Sequence, residues 1–131
     1  MKIFDCFMYF NEDVVLDLRL NILDKYVDYF VIVESSFTHK GEERKLQFDD
    51  KKFKKFKNKI IYLVYDNKPK NIKEILDDEH EDDQSRKYIF NSILRENGQR
   101  NFIINGLKDA NEEDLILISD VDEIPNLEKL E

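Results

Sequence analysis

Two aspartates near the end of the chain offer the most chemistry in the fewest residues. Asp120 and Asp122 follow closely on Leu115-Ile116-Leu117-Ile118, a four-residue apolar run that reads as a buried strand. In an extended segment, side chains two apart point the same way, so both carboxylates face one small volume. Two anions held that close repel unless a cation joins them or one takes up a proton. Mg²⁺ and Mn²⁺ prefer oxygen ligands, and they often sit between a few carboxylates and a substrate phosphate. The chemistry implied is a divalent ion bridging the protein to a diphosphate. Acidic pairs also occur in turns, and a solvated turn whose carboxylates cap the next helix is the competing reading.

The elements that would position such a pair can be read along the chain. Residues 2–10 are short, aromatic-rich and nearly uncharged, as in a buried strand. Asn11 is a good N-cap, with Glu12 and Asp13 suited to a helix start, and apolar residues at helical spacing run on to about residue 25, apart from Arg19. Residues 29–34 form a second, β-branched strand. Strand, helix and strand in that order indicate a βαβ unit and a parallel sheet. Residues 35–48 are polar and read as a long loop, of a length that invites function. Residues 51–59 suit a short helix with Phe53 and Phe56 inward and lysines outward, and 60–65 form a third strand. A turn at 67–71 is marked by Pro69.

The acidic run 77–83 reads as a solvated loop rather than a metal cluster, because no apolar frame holds its carboxylates, and His80 should be exposed. Residues 86–107 read as helix, with Phe90, Ile93, Leu94, Ile104 and Leu107 on one side and Gly98 as a point where it could split. Residues 115–118 are the fourth strand, and 126–131 look like the start of another helix. Cys6 belongs to the core. His39, in the polar loop, is uninformative alone.

Composition narrows the field. The chain has 131 residues, 41% hydrophobic and 38% charged, with a net charge of -8. That is enough apolar material for one core, or for part of a larger domain. Three glycines cannot supply a phosphate-cradling loop, and one cysteine excludes an internal disulfide or a cysteine zinc site. A pI near 4.9 argues against non-specific nucleic-acid binding. No apolar run reaches the roughly 20 residues of a membrane helix, and the first residues do not form a signal peptide. These features point to a soluble chain, cytoplasmic or of unassigned compartment.

Further motifs agree with the aspartate pair. Ile118-Ser119-Asp120-Val121-Asp122-Glu123-Ile124-Pro125 resembles the signature of glycosyltransferase family 17, the β-1,4-mannosyl-glycoprotein N-acetylglucosaminyltransferase group. Ile3-Phe4-Asp5-Cys6-Phe7 with Phe10-Asn11-Glu12 is similar to that family's opening. So are Asp28 to Ser35 with Phe37-Thr38 and Gly41, then Gln99-Arg100-Asn101 and Gly106-Leu107-Lys108-Asp109-Ala110. The resemblance runs over nearly all of residues 1–131. It extends to the broader GT-A nucleotide-sugar fold, a mostly parallel α/β sheet with flanking helices.

The resemblance implies a transferase that moves N-acetylglucosamine from UDP-GlcNAc to a glycan or glycoprotein acceptor with inversion. Asp122 would ligate Mn²⁺ or Mg²⁺, and Asp120 would hold the metal or the ribose. Glu34 would lie near the uridine, Arg100 near the diphosphate, and Asn11 and Glu12 at the nucleotide's border. Each has a plainer alternative: a surface acid or helix cap for Glu34, an ion pair for Arg100, helix capping for Asn11 and Glu12. The acceptor half and a carboxylate base are expected beyond Glu131, so the 131 residues alone should be inactive. Two other hypotheses remain. One is a phosphatase of the haloacid dehalogenase type with Asp120 as nucleophile, although those enzymes usually carry the motif at the first strand. The other is a non-catalytic binding or structural remnant of the same fold.

Overall fold

The computed structural model describes residues 1–129. Four strands and two helices follow one another as β1 (Ile3–Tyr9), α1 (Asp13–Leu23), β2 (Tyr29–Ser35), β3 (Ile60–Tyr65), α2 (Glu81–Asn101) and β4 (Leu115–Ile118). The strands form one all-parallel sheet in the order β3-β2-β1-β4. This is the α/β architecture expected from the sequence, a Rossmann-like half domain. Short 3-10 turns occupy Lys54–Phe56, Phe102–Gly106 and Leu127–Lys129. The helix start expected at 126–131 is the last of these turns, and residues 130 and 131 lie outside the described residues.

Alternation along β1 and β2 feeds two cores. Phe7, Tyr9, Phe30 and Ile32 face α1 and pack with Leu16, Leu20, Phe53 and Phe56. Phe4, Cys6, Val31 and Val33 face the other way, against Tyr65 and Ile103. Strands buried on both faces become continuous apolar runs, which is why β1 and β2 show no polar alternation. Cys6 is fully buried as expected, and burial with Asp5 beside it pushes its thiol pKa up to about 12, so it is a poor nucleophile.

Three expectations are corrected. Asn11 does not cap α1 with its side chain: Glu12 occupies the cap position, and its Oε1 turns back to accept from the Phe10 and Asn11 amides at 3.1 and 2.9 Å. α2 begins at Glu81, so the second half of the acidic run is its first turn, where carboxylates favour the positive end of the helix dipole. His80, exposed as expected, caps it by accepting from the Asp82 amide at 3.1 Å. The apolar side expected on this helix is only partly inward: Leu107 packs on the second core and Leu94 is half-buried, but Phe90, Ile93 and Ile104 are exposed. α2 docks through polar side chains instead. Asn91 bonds both the amide and the carbonyl of Lys73 at 2.8 Å, and Gln99 bonds the Val33 carbonyl.

Gly98 does not split α2. A Cβ there would lie 2.2 Å from Tyr65 Oη, so the glycine is a point of close helix–strand approach. Gly98→Ala should therefore destabilise the chain by about 1–3 kcal/mol through overpacking, despite the gain in helix propensity. Urea unfolding measures this, and adding Tyr65→Phe should recover part of the loss.

Candidate functional site

All four strands point their C-terminal ends to one rim, the place where open α/β sheets bind ligands. β4 ends at Ile118, and the chain then turns rather than extending. The Glu123 amide donates to Asp120 O at 2.9 Å, and Glu123 Oε1 accepts from the Asp120 amide at 2.9 Å. The extended geometry expected for the pair is thus corrected. Val121 turns inward and is buried, leaving Asp120 and Asp122 on the outside. Both still border one cleft of about 410 Å³, together with Phe10, Glu12, His39 and Glu96.

The loop is held from behind by Arg19, which is fully buried. Its Nε and Nη2 grip Asp5 at 2.8 and 2.6 Å. Nη2 also donates to Ser119 Oγ at 2.7 Å, and Nη1 donates to the carbonyls of Asp120, Val121 and Glu123 at 2.8–3.2 Å. The guanidinium lies 4.6 Å from the Phe7 ring centroid. A planar fork of five donors suits this task, and an ammonium does not. Arg19 and Asp5, which hold this loop, were passed over by sequence reasoning. Their signal was a charge on an otherwise apolar helix face and an acid inside an apolar strand.

The other expected site residues fall into two groups. Arg100 stands beside the pair, its Nη2 3.9 Å from Asp120 Oδ1 and 3.0 Å from Glu96 Oε1. Asn11 is exposed at the end of β1, between the cleft residues Phe10 and Glu12. Glu34 is not brought to them. It is fully buried, and its carboxylate accepts from the amides of Gln47 and Phe48 at 2.7 and 3.1 Å and from Tyr62 Oη at 2.6 Å. It also pairs with Arg44 at 2.9 Å. As placed, Glu34 ties the loop after β2 to β3. Burial, then the bond to Glu34, pushes the Tyr62 hydroxyl pKa well up.

Among the described residues, no three His, Cys, Asp or Glu side chains cluster to hold a metal ion. A Mg²⁺-type ion needs fewer, since it keeps waters and takes one or two carboxylates plus substrate phosphates. Asp120 and Asp122 are exposed carboxylates on one cleft. Among the described residues Asp122 has no ion-pair partner, and Asp120 has only the long contact to Arg100. That donor set fits such an ion.

The chain is thus a parallel, Rossmann-like α/β half domain with an acidic cleft at its strand ends. Comparison with known proteins gives it a family. The model of glycosyltransferase family 17 matches residues 1–131, and the chain belongs to that family. It is 31% identical over 119 residues to beta-1,4-mannosyl-glycoprotein 4-beta-N-acetylglucosaminyltransferase of Homo sapiens, and equally to that of Rattus norvegicus. The Mus musculus protein of the same name is 30% identical. These alignments cover 88% of the chain and 20% of each relative, so the chain spans about a fifth of their length. No solved structure matches significantly. No helix among the described residues is long and apolar enough to cross a membrane.

Proposed function

We propose that the chain is the donor-binding half of a metal-dependent transferase. In this reading it binds UDP-GlcNAc for transfer of N-acetylglucosamine, with inversion, to a glycan or glycoprotein acceptor. The observation that carries it is the shared cleft of Asp120 and Asp122, held by Arg19 at the strand ends and flanked by Arg100. Asp122 would hold Mn²⁺ or Mg²⁺, and Asp120 would hold the metal or the ribose. When bound, such an ion neutralises the diphosphate and stabilises the charge that grows on it as it leaves. Arg100 would donate to the diphosphate, a charge-assisted bond that would compete with its pairing to Glu96. Asn11 and Glu12 would border the nucleotide, while Glu34 would serve the site by fixing the loop behind it.

Calorimetry of UDP with and without Mn²⁺ tests this. Binding should require the metal, and Asp122→Ala should abolish the metal-dependent heat while leaving the circular dichroism spectrum unchanged. Equal binding by Asp122→Ala would remove the metal assignment. Trapping of a phosphoaspartate at Asp120, with no UDP binding, would favour the phosphatase chemistry.

A further inference from the structure

The cleft also contains an imidazole to which the reading above gives no task. His39 lines it with Asp120 and Asp122, and its neighbours decide which ring nitrogen carries the proton. Gln99 is fully buried, and its Nε2 donates to Val33 O at 3.0 Å. A carbonyl only accepts, so the amide cannot be turned over. Its Oε1 is left facing His39 Nε2 at 3.4 Å. That oxygen also only accepts, so Nε2 is the protonated nitrogen. In the neutral ring, Nδ1 is then the acceptor.

The residue is fixed at two further points. Arg95 Nη1 donates to His39 O at 3.1 Å. The ring meets Phe10 edge-on with centroids 5.1 Å apart. The titratable groups that share its cleft are Glu12, Glu96, Asp120 and Asp122, with Arg100 bound to Glu96. A base whose tautomer is set by a buried third group is the arrangement that proton-abstracting sites use.

We propose that His39 is the proton acceptor for the hydroxyl that attacks the donor sugar, which rests on the transferase reading. As the acceptor oxygen bonds to sugar C1, its proton passes to His39 Nδ1. The bond from C1 to the diphosphate oxygen breaks, and that electron pair leaves with UDP. Gln99 acts as the positioning residue. A base is thus supplied within this chain, where the family resemblance led us to expect a carboxylate beyond Glu131.

Long-range ¹H–¹⁵N NMR of the full chain tests the assignment, because there are only two histidines to resolve and His39→Gln identifies one set of signals. In the neutral ring, Nε2 of His39 should carry the proton. The Nδ1 resonance should move upfield when methyl β-mannoside is added to the chain loaded with UDP-GlcNAc and Mg²⁺. It should not move on adding the loaded donor alone. Gln99→Met should lose the single tautomer while circular dichroism shows the fold intact; if that variant does not fold, the wild-type tautomer still decides. A protonated Nδ1 in the wild type overturns the proposal. So does an Nδ1 that stays unmoved although saturation-transfer NMR shows the mannoside bound beside the donor; a loaded chain that takes up no mannoside shows that the attacking hydroxyl does not reach this cleft, and overturns the role as well. A chain that binds no UDP-GlcNAc overturns the transferase reading itself, and this role with it.

Discussion

Replacing Arg19 by Met should destabilise the folded chain by about 3–5 kcal/mol, the cost of breaking a buried ion pair by removing one partner. Asp5 would be left at zero exposure with no cation against it. The carbonyls of Asp120, Val121 and Glu123 would lose their shared donor. Met matches the stem but supplies no N–H, so the loss isolates the guanidinium. Arg19→Lys keeps the charge yet cannot span Asp5, Ser119 and three carbonyls at once, and should recover only part of the stability. Urea denaturation gives both values. A second consequence separates the anchor from ordinary core packing: Arg19→Lys should weaken Mn²⁺-dependent UDP binding at urea concentrations where the sheet is still folded. An Arg19→Met chain as stable as the wild type would show that the fork does not hold the loop.

The contrast between Arg19 and the residues it serves explains what was legible in the sequence. The strands were readable because each is a short apolar run between turn residues, and the third matches the structure at both ends. The parallel direction of the strands followed from the strand–helix–strand spacing. Asp120 and Asp122 stood out because charge follows abruptly on Leu115 to Ile118. What sequence could not show was partnership across distance. Arg19 and Ser119 are 100 residues apart, and nothing local says that one donates to the other. The same limit applies to α2. Its exposed Ile89 and Ile93 and its inward Asn91 and Gln99 invert the usual polarity, because this helix docks on loop and strand backbones by hydrogen bonds. Periodicity assigns the apolar side to the core, and here it misassigns Phe90, Ile93 and Ile104. His39 gained meaning only once Gln99, 60 residues away, was found facing its Nε2.

Glu34→Ala should cost about 3 kcal/mol or more, and its pattern of damage should reveal which of two roles the residue has. Removing the carboxylate leaves Arg44 without its acid, Tyr62 without its acceptor and two loop amides unpaired. Each part-buried group stranded in this way costs up to about 1–3 kcal/mol. The sheet below keeps its own ladders, so the damage should concentrate in the loop. Hydrogen exchange should accelerate most at the amides of Gln47 and Phe48, which donate to Glu34, and far less at Val31 to Val33 in β2. Tyr62→Phe removes one of the four contacts and should cost about 1–2 kcal/mol. The alternative role, direct contact with the nucleotide, makes the opposite forecast: stability nearly unchanged and UDP affinity reduced. Zero exposure and four partners favour the loop role. A Glu34→Ala chain with normal unfolding and unchanged exchange at Gln47 and Phe48 would reverse that judgement.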